Sequence, residues 1–422
     1  MLNQKHWLRL VVGLLAITNS RGPLFAQEGA AGRVEFRLRE TAGLRRFGYP
    51  VHATLPLPES PPGRKYRLLR DGREVAAQFR EIAKPTRGNG SGGTGLEVAL
   101  DFTTSPGPFE SENYVVEYGK DIQPGPEPRQ GLVPEHGDGV FRIANGSQIA
   151  YTIPDDLKGL VTSIKTPGED YLTPHSRGLF LVERTTHSKT PLKLARRGDD
   201  EIARVTRQGP IAVGLRFDGI VSLSDGQALP TTVDLDFVHS KSWIETTWSI
   251  NDPEDRIEGL GVDLEMNIDR LPALVDCGAG STVYSHLRKN EVLTLLGRPA
   301  GAATPDIPRW VIEQGQNEAR TEFARAAANA PPPEGWIHLM DHARCSALAV
   351  ADFANAWVDR FRVESSGRME FERRYETAPA SPKSTRHKTL KFWLHVVPMP
   401  VQIGAVTSPQ AMLSPLIVEW NQ

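Results

Sequence analysis

The chain has 422 residues, with 49 Lys and Arg against 51 Asp and Glu and a formal charge of −2. That near balance argues against a nucleic-acid partner, which normally leaves a basic excess. No run approaches the ~18 consecutive apolar residues of a membrane helix, and the only two cysteines, Cys277 and Cys345, exclude a disulfide framework while leaving open one bridge or two buried thiols.

In chain order, Lys5, His6 and Arg9 precede a short apolar run over 10–17, and Leu24-Phe25-Ala26 precedes Gln27. This reads as a signal peptide over 1–26, so the expected location is secreted or periplasmic. Gly and Pro, 38 and 33 residues, fall between short alternating runs, which points to an all-β protein. A first block, 33–120, carries strand patterns over 34–39, 51–57, 66–69, 74–81, 96–102 and 114–118. Asp71-Gly72 marks a hairpin, and 88–95 is a Gly-rich loop. The size of the block predicts a small barrel or sandwich, with Phe47, Tyr49 and His52 as core and rim or as a partner surface. Residues 121–139 hold four prolines and read as a linker. From 140 to 422 the strands lengthen and predict a large antiparallel β-sandwich. One stretch, 313–330, is rich in Ala, Glu, Arg and Gln and predicts a short surface helix ending before Pro331.

The segment TLKFWLHVV, 389–397, alternates with period two. Leu390, Phe392, Leu394 and Val396 face a core, and Trp393 and His395 share the other face. An aromatic ring beside a polar group suits a sugar ring, although a Trp packed under a loop fits the same pattern. A second cluster gathers Trp336, His338, Asp341, His342 and Arg344 at a strand and its turn. His338 and His342 have a spacing that suits metal ligation on a helix, but no third ligand follows from spacing. Neither a metal nor a cofactor is expected. The run from Asn251 to Arg256 has the oxygen density of a calcium loop without the spacing of one, and reads as a turn capped by its Asn and Asp side chains. Asp234, Asp236, Glu245 and Glu265 alternate along strands and read as one solvated or groove-lining face.

Five segments, FGYPVHATLPLP (47–58), TWSINDPEDR (247–256), GLGVDLEMNI (259–268), 334–353 and 391–415, together resemble the exo-rhamnogalacturonan lyase family. The resemblance implies a RIFT-type β-barrel at the N-terminus, a central β-sandwich and a C-terminal α/α toroid. Only the first two are expected here, since a toroid would need hundreds of residues beyond Pro415. The lyase reading makes His338 or His395 the base for β-elimination on an acidic polysaccharide, Arg344 the partner of a carboxylate, and Trp336, Trp393 and His342 substrate contacts. The rival is a non-catalytic glycan-binding or scaffold protein that has lost the toroid, with a partner chain supplying the missing wall.

Overall fold

A computed structural model describes residues 32–55, 57, 64–83, 96–198, 201–239, 241–316, 319–375, 387–398 and 408–421. The leader-like stretch over 1–26 and the Gly-rich loop over 88–95 lie outside these residues.

Period-two alternation dominates, and the regular elements among the described residues are strands apart from a 3-10 turn at Ala300–Ala302 and the short helix Pro409–Leu413. The largest sheet has nine strands. In spatial order they are Ala203–Arg207, Ala212–Ser222, Ala228–Val238, Trp243–Asn251, His387–Pro398, Arg344–Val350, Trp336–Met340, Ala273–Gly278 and Thr282–Leu287. An eight-stranded sheet runs Lys189–Pro191, Gly178–Glu183, Ile257–Glu265, Arg368–Arg374, Val358–Glu364, Glu291–Gly297, Trp310–Gln316 and Ala319–Ala326. One apolar core joins Phe217, Phe237, Trp248, Leu348 and Phe392 of the first to Leu260, Val262, Leu295, Phe361 and Phe371 of the second. A five-stranded sheet, Leu132–Gly137 through Glu169–Asp170, adds Phe141, Ile143, Tyr151 and Ile164 to the same core. Its first strand arises from the Pro-rich stretch and pairs with Val140–Asn145.

The first block forms two sheets rather than a barrel. Lys65–Arg70 and Arg73–Val75 make the hairpin read at Asp71-Gly72, where both residues have positive φ, 49° and 75°. They belong to a five-stranded sheet with Ser111–Gly119, Gly32–Arg39 and Ile417–Trp420, while Tyr49–Leu55, Leu96–Thr104 and Ala77–Ala83 form a separate three-stranded sheet. Phe36, Leu68, Val98, Phe102 and Tyr114 pack together as their core. The expected RIFT-type barrel is therefore not present. Closure would require the sheet edges to pair with one another, but the five-stranded sheet ends on Arg73–Val75 and on Ile417–Trp420, which pairs with Gly32–Arg39 (Phe36 opposite Trp420), and neither edge joins the three-stranded sheet.

The predicted helix over 313–330 is also absent. Among the described residues of that stretch, 313–316 and 319–326 lie on the antiparallel strands Trp310–Gln316 and Ala319–Ala326. Ile312 is fully buried, and Ala324 and Ala326 pack against the large core. Burying a large apolar side chain is worth roughly 1.5–3 kcal/mol, whereas helix propensities differ by only about 0.7 kcal/mol per ordinary residue. Tertiary pairing wins here.

Candidate functional site

The nine-stranded sheet turns one face to the large core and the other away from it. Ile337 and Leu339 enter the core, so Trp336 and His338 point outward; Leu394 and Val396 do the same for Trp393 and His395. Register then builds two adjacent cross-strand rows. One passes Tyr284, Asp276, His338, Ala347, His395 and Trp243. The next passes Trp336, Ala349, Trp393, Glu245 and Asp236. Trp336, His338, Trp393 and His395 thus share one face of three neighbouring strands.

That meeting point is covered rather than open. Tyr49 from the first block and the short helix Pro409–Leu413 pack on Trp243, Trp336, Ala349 and Trp393 through Ala411 and Met412. Arg46 fastens the cover. It is 1 % exposed, pairs with Glu40 at 2.8 Å, and donates to the carbonyl oxygens of Ala411 (2.8 Å) and Ser414 (2.7 Å). Its guanidinium also lies 4.7 Å from the Tyr49 ring centroid. Burial pushes Glu40 up, but Arg46 and the backbone N–H groups of Phe109, Ala42 and Gly43 outweigh it and bring its pKa down to about 2.

Each residue singled out in the sequence has a distinct setting. His395 is 2 % exposed and neither ring nitrogen has a hydrogen-bond partner. Burial, with smaller contributions from His338 and Lys241, lowers its pKa to about 3, so it stays neutral. Trp393 donates Nε1–H to Glu245 at 2.9 Å, and Lys391 pairs with the same carboxylate at 2.5 Å. Trp336 donates Nε1–H to Glu334 at 2.7 Å, and Gln410 of the cover donates to the same oxygen at 2.6 Å. His338 is half-buried, with Nδ1 2.9 Å from Asp276. His342 is exposed and faces Asp269 at 3.3 Å. Arg344 lies 2.8 Å from Glu169 and 3.6 Å from Asp341. The buried carboxylate of Asp341 accepts the N–H groups of Asp269, Ala343 and Arg344, so this cluster organises a turn. Among the described residues no group of three or more His, Cys, Asp or Glu is placed to hold a metal ion.

Indole 336 owes its position to a glycine. A Cβ on Gly278 would lie 2.3 Å from Trp336 Nε1 and 2.7 Å from a Glu334 oxygen. Gly278→Ala should therefore displace the indole and break its bond to Glu334, costing about 1–3 kcal/mol as an overpacked substitution. A urea titration followed by tryptophan fluorescence would check this; an unchanged midpoint and emission maximum would refute it.

Away from the cover the same face is polar. Asp234 pairs with Arg216 through two bonds, 2.7 and 2.9 Å, and Arg207 bridges Asp236 (3.2 Å) to Asp101 (3.3 Å). His52 joins this chain at Asp101, 2.5 Å away. Asp234, Asp236 and Glu245 share the face as the alternation suggested, whereas Glu265 belongs to the eight-stranded sheet. Further along, a cavity of about 650 Å³ is lined by Arg197, Glu201, Arg204, Asp218, Thr232, Ser249, Asn251 and His387, among others. Within it Arg204 pairs with Asp218 at 2.7 Å, and Thr232 donates to the same carboxylate at 2.8 Å. Apart from Asn251, which was read as part of a capped turn, sequence reasoning did not single out these residues, nor Tyr284 and Asp276. The outward positions of 216–220 and 230–234 were legible as an alternating polar face, but their meeting with 197–204 and 387 depends on non-local pairing.

No protein-family model matches the chain, and no curated protein matches it. Solved structures do, and two of them share most of this chain's architecture. One is a glycosyl hydrolase family 38 protein from Enterococcus faecalis (TM-score 0.56, 10% identity, 92% of this chain and 47% of that one). The other is an α-mannosidase from Enterococcus faecalis V583 (TM-score 0.55, 10% identity, 92% of this chain and 46% of that one). The chain shares their fold. It spans about half the length of either, and at 10% identity the likeness is one of architecture. This finding, with the open sheets of the first block, overturns the resemblance to exo-rhamnogalacturonan lyases and the rhamnogalacturonan-specific expectation that came with it.

Proposed function

We propose that the protein is an exported, non-catalytic carbohydrate-binding protein whose glycan occupies the cavity on the outer face of the nine-stranded sheet. The observation that carries this reading is the cavity itself: about 650 Å³, lined by hydroxyl, carboxylate, guanidinium and amide groups that match sugar hydroxyls as donors and acceptors. The shared architecture with glycosyl hydrolases is consistent with it as an analogy of fold. Export rests on the leader-like residues 1–26.

The charges favour a neutral glycan. Arg197 and Arg204 are balanced by Glu201 and Asp218, and a polyuronate would bring its own carboxylates against the latter two. The non-catalytic part is supported by the sealing of one of the two base candidates and of both tryptophan platforms. His395 is sealed and held neutral, and the faces of Trp336 and Trp393 are packed against the cover. A base must reach the proton it removes, and His395 cannot.

Affinity electrophoresis against neutral glucans and mannans and against polygalacturonate and alginate tests this reading. Retardation is expected in the neutral gels. Asp218→Ala, which removes the acceptor shared by Arg204 and Thr232, should weaken it about tenfold, in line with a hydrogen bond to a charged group. Absorbance in the unsaturated-uronate band should stay flat with every substrate. Retardation unchanged in a folded Asp218→Ala variant would remove the cavity from the reading, and no retardation in any gel would leave a scaffold.

A further inference from the structure

At the opposite edge of the same face lies a second feature that the cavity does not explain. The edge strand Thr282–Leu287 turns Thr282, Tyr284 and His286 outward, and all three are exposed, Tyr284 at 59%. Tyr284 stands directly opposite Asp276, and Asp276 stands directly opposite His338 on the next strand. Adjacent strands are spaced ~4.8 Å, so the tyrosine and imidazole flank the carboxylate roughly 9–10 Å apart.

The polar half of this strip is oriented. Asp276 is 7% exposed, and its Oδ1 lies 2.9 Å from His338 Nδ1. An ionised carboxylate accepts only, so the bond places a proton on Nδ1, and in the neutral imidazole the Nε2 lone pair is then available. Among the described residues Nε2 has no hydrogen-bond partner. Behind the imidazole, the Trp336 ring lies with its centroid 5.3 Å away and limits its rotation. An exposed aromatic ring on a sheet edge is common by itself. An exposed ring on the same cross-strand row as a half-buried, carboxylate-oriented imidazole is a platform with a directed acceptor.

We propose that Tyr284, Asp276 and His338 form a second saccharide subsite, in which a neutral pyranose stacks its C–H face on Tyr284 and donates a hydroxyl proton to His338 Nε2. Apolar C–H groups pack on the ring face, and one hydroxyl meets the fixed acceptor. No bond is broken, and the subsite does not depend on the cavity at the other edge.

Isothermal titration of the full chain with mannohexaose and with cellohexaose, together with the imidazole NMR resonances of His338, tests this. The wild-type protein should bind two equivalents of one of these oligosaccharides and shift the His338 resonances. Tyr284→Ala should weaken the subsite about tenfold and abolish the shift, while Tyr284→Phe, which keeps the ring, should retain both. Asp218→Ala should weaken only the other equivalent, about tenfold. One equivalent weakened in Asp218→Ala but indifferent to Tyr284→Ala would overturn this subsite and leave the cavity reading standing. One equivalent sensitive only to Tyr284→Ala would uphold the subsite and remove the cavity. No binding in the wild-type protein would overturn both.

Discussion

Asp252→Ala should lower the unfolding free energy by about 3–5 kcal/mol, the usual cost of breaking a buried ion pair from one side. Asp252 is fully buried and Lys388 is 1 % exposed, with Lys388 Nζ 2.5 Å from the carboxylate. The same carboxylate accepts the backbone N–H of Arg256 and of Ile257, each at 2.8 Å, which closes the turn read from the sequence as an Asp-capped one. Alanine would leave a buried ammonium with only Asp255, 2.6 Å away, and two amides with no acceptor. The site matters because Lys388 is the second residue of the strand that carries Trp393 and His395, and the first, His387, lines the cavity. Asp252→Asn keeps an oxygen for one amide and should lose less. Urea denaturation at pH 7 measures both, and a loss below 1 kcal/mol for Asp252→Ala would show that Asp255 alone satisfies Lys388.

Acidification from pH 7 to pH 5 should cost the wild-type protein roughly 2 kcal/mol more than the His395→Leu variant. His395 has its pKa lowered from 6.5 to about 3 in the fold. Between those values the unfolded chain binds a proton that the folded chain does not, so stability falls as pH falls below 6.5 and levels off only near 3. His239, also lowered by burial, acts with the same sign, and so the difference between the two proteins isolates His395. Glu40 and Glu372, each lowered to about 2, begin to act only below their usual value of 4.5. Urea titrations at intervals between pH 7 and pH 5 provide the slopes. Parallel slopes in the two proteins would mean that His395 is protonated in the fold.

Alternation was the part of the architecture that local reading reached. A two-residue period assigns Leu390, Phe392, Leu394 and Val396 to one face and Trp393 and His395 to the other, and the structure places them so. The same rule put Asp234, Asp236, Glu245 and Glu265 on one surface, which holds for the first three but not for Glu265, on the other sheet. It failed where propensity and pairing disagree: 313–330 has helix-forming composition but lies on two strands because Ile312, Ala324 and Ala326 serve the core. It also failed for the first block, where strand patterns alone do not distinguish a closed sheet from two open ones.

The candidate sites show the same division. Trp393 and His395 look like a sugar platform on an isolated strand, and only the arrival of Tyr49, Ala411 and Met412 turns them into a packed interface. Asp276 reaches His338 across 62 positions of sequence, and Arg204 reaches Asp218 diagonally only because its strand pairs antiparallel with Ala212–Ser222, where Arg216 is its direct neighbour. The sequence by itself determined which residues alternate, where turns interrupt them and that the chain is all-β, because these follow from backbone geometry and local side-chain chemistry. Which edges pair, which outward face is covered and where the cavity opens were decided by tertiary structure alone. Those outcomes depend on contacts between distant segments, and no local period encodes them.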